Sequence, residues 1–169
     1  VITSTGFGID NFAIWPLYLP AMLILISFIG GCAGSTAGGM KVIRFVILGK
    51  QGIIETNQLV HPSRVQTLQL HGRAIDGRVV QSVWGFFALY VITFGFLMLL
   101  LMAAGMDQVT AFGSVATCMN NLGPGLGDTA LSFATLNDFE KWVLAFATIL
   151  GRLEIYTVFA LFSRSFWRS

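Results

Sequence analysis

The chain has 169 residues, 55% of them hydrophobic and only 11% charged, with a formal net charge of +2 and a mean hydropathy of +0.76. A soluble domain carries about 25% charged residues, so this composition excludes one and points to a membrane protein. So small a net charge gives no reason to expect a nucleic-acid partner.

Two cysteines, Cys32 and Cys118, are too few for a disulfide framework; both sit in apolar or Gly-rich settings and read as reduced small fillers. The amino terminus shows no basic start, apolar run and cleavage site, so no signal peptide is expected. The chain opens without Met inside Thr3-Ser4-Thr5-Gly6-Phe7-Gly8-Ile9-Asp10, a polar, Gly-containing loop, as a piece of a longer protein would.

Residues 15–29 are apolar, with Trp15 and Tyr18 suited to a membrane–water interface, but short for a full span. Pro16 fits a first helical turn and Pro20 a mild kink. Half of the next ten residues, 30–39, are glycine, which weakens a helix by up to about 1 kcal/mol each relative to Ala. Apolar helix resumes over 40–48, so the expected form is one broken transmembrane helix; a flexible loop between two short helices is the plainer alternative. From 41 to 78 the chain is basic, with Lys41, Arg44, Lys50, Arg64, Arg73 and Arg78 against Glu55 and Asp76, so this connection is expected on the cytoplasmic side. Some helical patterning runs through 51–69. His61 and His71 stand without a Cys or carboxylate cluster and make a poor metal site.

Residues 82–105 carry no charge and are long enough to cross a bilayer, where roughly 20 apolar residues suffice. Residues 107–119 read as a helix too short to span, with Asp107 as its N-cap. It leads straight into Asn120-Asn121-Leu122-Gly123-Pro124-Gly125-Leu126-Gly127-Asp128, where Gly and Pro oppose helix. Irregular backbone at membrane depth survives only when buried in protein or lining a water-filled path. A polar stretch, 129–141, is expected outside, and 142–162 returns as an apolar helix with Arg152 and Glu154 in its interior. A charge in mid-membrane is expensive and functional by default. An ion pair between Arg152 and Glu154 is disfavoured, since positions two apart do not share a helix face. Arg164 and Arg168 close the chain on the inner, basic side.

The loop around Gly6 echoes the loop around Gly123, and each is followed at a similar distance by an apolar helix with an interior glycine. Outer helix, short pore helix, loop and inner helix form one unit, and the chain holds one whole unit and the back half of another. Such loops suit cation passage, because backbone carbonyls can replace an ion's hydration shell. Gly6 and Gly123 keep the backbone slim and free to take unusual dihedrals.

Four segments, Thr3-Ser4-Thr5-Gly6-Phe7, Gly30-Gly31-Cys32-Ala33-Gly34-Ser35-Thr36-Ala37-Gly38-Gly39-Met40-Lys41, Asn120-Asn121-Leu122-Gly123-Pro124-Gly125 and Gly151-Arg152-Leu153-Glu154, resemble the TrkH/KtrB superfamily of potassium transporters, in its bacterial TrkH branch. The resemblance implies an all-α integral membrane protein of four membrane–pore–membrane repeats, each with a re-entrant pore helix, filter loop and inner helix. It makes residues 1–50 the filter loop and broken inner helix of the third repeat, 51–80 a cytoplasmic connection and 81–169 the fourth repeat. It further implies that K⁺ is the transported ion, with no covalent cofactor and no enzymatic activity. Carbonyls near Thr3, Ser4, Thr5 and Gly6, and near Asn120, Asn121, Leu122 and Gly123, would form two of four filter walls. Gly30, Gly31, Gly34, Ser35, Thr36, Gly38 and Gly39 would belong to an intramembrane loop that gates the pore, with Arg152 facing the cavity beneath the filter. Lys41 has either a role near the pore or that of a snorkelling residue at a helix end. A homodimer in the bacterial inner membrane is implied, controlled by a cytosolic TrkA-type nucleotide-binding ring.

Three other readings compete with this one. An intramembrane serine protease built on Ser35 lacks a base within reach, because His61 and His71 lie in the cytoplasmic connection. A phosphate-binding loop over 34–41 fails because Met40 separates Gly39 from Lys41. An ion-coupled secondary transporter with broken helices remains the alternative to a channel-like pore.

Overall fold

The computed structural model describes residues 15–16, 18–31, 38–61, 68–70, 73–162 and 167. The expectations placed on Thr3, Ser4, Thr5, Gly6, Cys32, Gly34, Ser35, Thr36, Arg64, His71, Arg164 and Arg168 lie outside these residues.

Helix α1 (Leu19–Ile29) carries Pro20 in its first turn, where a missing amide costs nothing. Pro16 instead precedes the helix and accepts a turn bond from the Leu19 amide at 3.0 Å, so the first-turn place expected of Pro16 is taken by Pro20. The helix stops at Gly30, whose φ of 69° is a conformation that L side chains rarely adopt.

The two ends of the break then meet. The Met40 amide donates to the Phe28 carbonyl at 3.1 Å and the Val42 amide to that of Gly31 at 3.3 Å. Helix α2 (Val42–Val60) therefore begins beside the point where α1 ends. It outruns the apolar stretch 40–48 and continues through the polar patterning beyond it. A minimal antiparallel hairpin follows, β1 (Gln69–Leu70) with β2 (Arg73–Ala74), pairing Gln69 with Ala74.

Helix α3 (Gly77–Ala103) starts before the apolar run because Asp76 caps it, accepting from the Arg78 amide at 3.3 Å. Among the described residues it is the one unbroken helix long and apolar enough to cross a membrane. Its 27 residues extend about 40 Å at about 1.5 Å per residue, more than a hydrocarbon core of about 30 Å.

Helix α4 (Gln108–Asn120) has the expected N-cap: the Asp107 carboxylate accepts from the amides of Val109 and Thr110 at 3.1 and 3.4 Å. At about 20 Å it cannot span. It is nevertheless the most enclosed element, with Ala111, Ser114, Val115, Ala116, Met119 and Asn120 all fully buried. The main core joins its Val115 and Met119 to Phe86, Tyr90 and Leu97 of α3 and to Leu144, Ala147 and Leu150 of the next helix.

That helix, α5 (Asp138–Leu153), opens with a reciprocal cap between Asn137 and Glu140. The sequence reads 142–162 as one segment, but the structure breaks it at Glu154, and α6 (Ile155–Phe162) leaves at a bend of 106°. Glu154 has φ 62°, which ends the α5 ladder. Its carbonyl then accepts from the amides of Thr157 and Val158 at 3.1 and 3.3 Å and starts a helix in a new direction. Large apolar side chains such as Ile92, Phe96 and Leu99 on α3 and Trp142 on α5 point outward, as a lipid-facing or protein-facing surface requires.

Candidate functional site

The carboxyl end of α4 is built to turn sharply and hold its shape. Asn121 takes the left-handed conformation (φ 52°, ψ 42°), and its amide returns to the Cys118 carbonyl at 3.2 Å. The Leu122 amide donates to the Thr117 carbonyl at 2.9 Å, and Gly123 follows at φ 110°.

The chain then runs back along the helix it has just left. Thr117 Oγ1 donates to the Pro124 carbonyl at 2.8 Å. A Cβ on Gly113 would lie 2.6 Å from Leu126 Cβ, so the loop packs where only glycine fits. Ser114 Oγ and Thr129 Oγ1 share a hydrogen bond of 2.8 Å, and Thr110 Oγ1 accepts from the Asp128 amide at 3.4 Å. Thr110, Gly113, Ser114 and Thr117 recur at helical spacing on one face. Residues 122–129 are thus laid down and fastened to α4 by its own side chains. The sequence reading missed these hydroxyl groups, although polar residues at i, i+4 and i+7 in a short buried helix were a legible signal.

Asn120 faces away from the loop. Fully buried, its Oδ1 accepts from the Tyr90 hydroxyl at 2.8 Å, and its Nδ2 donates to Ser27 Oγ at 2.9 Å. Ser27 in turn donates to the Ile24 carbonyl at 2.6 Å. The side chain therefore ties α4 to α3 and α1, and only its backbone carbonyl is left to face elsewhere. That carbonyl meets the Gly-rich break: a Cβ on Gly38 would come within 2.5 Å of Asn120 O and 2.9 Å of Asn121 Nδ2. Asn121 Nδ2 also donates to the Thr148 carbonyl of α5 at 3.5 Å, and Leu122 is buried.

Gly30, Gly31, Gly38 and Gly39 form the described stem of the break, and a Cβ on Gly30 would approach the Gly38 carbonyl at 2.7 Å. On the other flank, Gly151 of α5 lies against the Met119 carbonyl with no room for a side chain. Its neighbour Arg152 is exposed on the surface of this chain. Glu154 bonds across to the start of α2, to Lys41 Nζ at 2.5 Å and Arg44 Nη2 at 3.0 Å. Lys41 is therefore ion-paired and not simply a snorkelling residue. A cleft of about 440 Å³ opens beside the loop, lined by Thr117, Cys118, Asn121, Gly123 and Thr148 among others.

Chemically, the arrangement presents neutral oxygens and a helix carboxyl terminus, whose partial negative charge favours a cation. The loop 120–127 holds no ionised side chain to bind a cation tightly. Among the described residues there is no cluster of His, Cys, Asp and Glu able to hold a metal ion.

The family model described as TrkH, cation transport protein, matches residues 1–169. The chain is 53% identical over 169 residues to the Trk system potassium uptake protein TrkH of Vibrio parahaemolyticus, covering 100% of the chain and 35% of that protein. It is 48% identical over 166 residues to the TrkH of Escherichia coli, with 98% and 34% covered. To the TrkG of the same species it is 47% identical over 169 residues, with 100% and 35% covered. The crystal structure of the potassium transporter TrkH from Vibrio parahaemolyticus superposes with a TM-score of 0.90 at 52% identity, over 98% of this chain and 36% of that one. The chain spans about a third of the length of these relatives. It belongs to the TrkH family of cation transport proteins, and its helices are those of a membrane transporter.

Proposed function

We propose that this chain supplies two quarters of a potassium pathway through the bacterial inner membrane. K⁺ passes a ring of backbone carbonyls, to which residues 3–6 and 120–123 contribute. The intramembrane stretch 30–39 gates it, and Arg152 faces the cavity below. In this reading residues 1–50 end the third repeat, 51–80 form a connection, 81–169 form the fourth repeat, and 41–80 and the carboxyl terminus are cytoplasmic. The whole transporter acts as a homodimer under a cytosolic TrkA-type nucleotide-binding subunit, as membership of a Trk system fits.

The observation that carries this reading is the meeting of Gly38 with the Asn120 carbonyl. A glycine-rich excursion presses on the carboxyl end of a short, buried, non-spanning helix, where a cation would be held. A surface turn has no use for such contact.

The test is ⁸⁶Rb⁺ uptake into liposomes bearing the full-length protein, beside its Gly123→Ser variant. Uptake that Gly123→Ser abolishes or opens to Na⁺ assigns the loop to the selectivity filter. Equal uptake by both removes Gly123 from it. Saturable uptake that needs a proton or sodium gradient favours the ion-coupled transporter instead.

A further inference from the structure

Three non-glycine residues among those described have positive φ: Lys41 (66°), Asn121 (52°) and Glu154 (62°). Asn121 ends α4. The other two stand at the two breaks in the inner helices and are bonded to each other at 2.5 Å, although 113 positions separate them. Each also begins the helix that follows. The Lys41 carbonyl accepts from the Arg44 amide at 3.1 Å, just as that of Glu154 accepts from Thr157 and Val158.

The charges explain why they are paired. Lys41 and Arg44 both sit at the amino end of α2, where the helix dipole disfavours cations. Glu154 gives one carboxylate oxygen to each of them. The Arg44 guanidinium also lies 4.0 Å above the ring of Phe86 on α3. The side chains are 20% exposed for Lys41 and Arg44 and 33% for Glu154, so water screens this cluster less than it would a surface pair. It joins α2, α3 and the α5–α6 junction at a single point.

Just before Lys41, Gly38 rests on the Asn120 carbonyl. We infer that Glu154 is a positioning residue for the gate: its ion pair with Lys41 and Arg44 latches the two helix breaks together and keeps the glycine-rich stretch seated. This rests on the gating role proposed above. Without the latch, two cations at the start of α2 lose the one carboxylate that bonds them among the described residues, and Arg44 keeps only the ring of Phe86. The 38–41 stem then keeps the burial of Met40 and backbone bonds such as Met40 to Phe28 but loses its ionic anchor, and the seated arrangement loses population.

The experiment uses the full-length protein without its regulator. ⁸⁶Rb⁺ and Na⁺ fluxes and amide hydrogen exchange over 38–44 are compared for the wild type, Glu154→Gln, Lys41→Gln and the double variant. Glu154→Gln is expected to raise unstimulated Rb⁺ flux about fivefold, the low end for coupling between sites, with faster exchange over 38–44 and an unchanged Rb⁺/Na⁺ ratio. Lys41→Gln moves both readouts less, because Arg44 still holds Glu154. The double variant should not exceed Glu154→Gln, since the two residues act through one contact.

A folded Glu154→Gln protein with unaltered flux and exchange overturns the latch. So does a flux that falls together with melting temperature, which marks a merely structural contact, and so do fully additive single effects. If exchange rises as expected while no variant, wild type included, moves Rb⁺, the latch stands and the conduction reading fails.

Discussion

The two inner helices are both broken, by different means. The first opens at Gly30 and closes again at Lys41, with the ends stitched by two backbone hydrogen bonds and glycines where the chain meets itself and α4. The second breaks at one residue, Glu154, with no glycine at the turn, yet bends by 106°. A long excursion needs slim residues because its own backbone crowds it. A one-residue bend needs only a partner that makes an unfavourable dihedral worth holding, and Lys41 with Arg44 provides one. The stem of the glycine-rich break is therefore set by close backbone approach, whereas the charged break rests on its partner.

The contrast can be broken most severely at Asn120. Asn120→Ala strips a buried hydrogen-bond partner from both Tyr90 and Ser27 and should cost about 2–4 kcal/mol of stability. Thermal unfolding in detergent reads the loss. Exchange should accelerate around Ser27 at the foot of the first break and much less around Glu154.

Gly38→Ala comes next. Its new methyl group would meet the Asn120 carbonyl and carbon at 2.5 and 2.6 Å, backbone atoms that cannot rotate aside. A cost of about 1–3 kcal/mol is expected, with Rb⁺ flux altered in the full-length protein. Wild-type melting and flux in Gly38→Ala would remove the contact on which the proposed gate depends.

The smallest effect sharpens the comparison. Gly49 lies within α2 with nothing within 4 Å of where its Cβ would sit. Gly49→Ala should stabilise by about 0.5–1 kcal/mol, seen as a slightly higher melting temperature. Glycine would then be required at the break and dispensable one helix away.

Much of this was legible in the sequence because local chemistry wrote it. Asp107 ahead of a short apolar helix, the uncharged run from Ser82, and glycine making up half of residues 30–39 each have one dominant physical reading. The bend at Glu154 had no such signal, since 142–162 is apolar on both sides of it. The bend coincides with a pairing of Glu154 with Lys41 more than a hundred positions away, which no periodicity reports. The sequence argument that Arg152 and Glu154 would not pair did leave Glu154 to find another partner, and it finds two. The side chain of Asn120 was beyond reach for the same reason: Tyr90 looks like one more aromatic in a span until the fold turns its hydroxyl inward.

Residues 122–129 are fastened to α4 by Thr110, Ser114 and Thr117, all from the same short stretch of chain. These polar fastenings are local, while Leu126 of the same loop also packs with Ile24 of α1. During synthesis, the polar fastenings can form as soon as α4 and the loop have been made, without waiting for the other helices to dock. The contact of Gly38 with the Asn120 carbonyl joins segments far apart in the chain and must wait for them to dock. Damage to the fastenings should therefore appear as a local fault, and damage to the Gly38 contact as a fault of assembly.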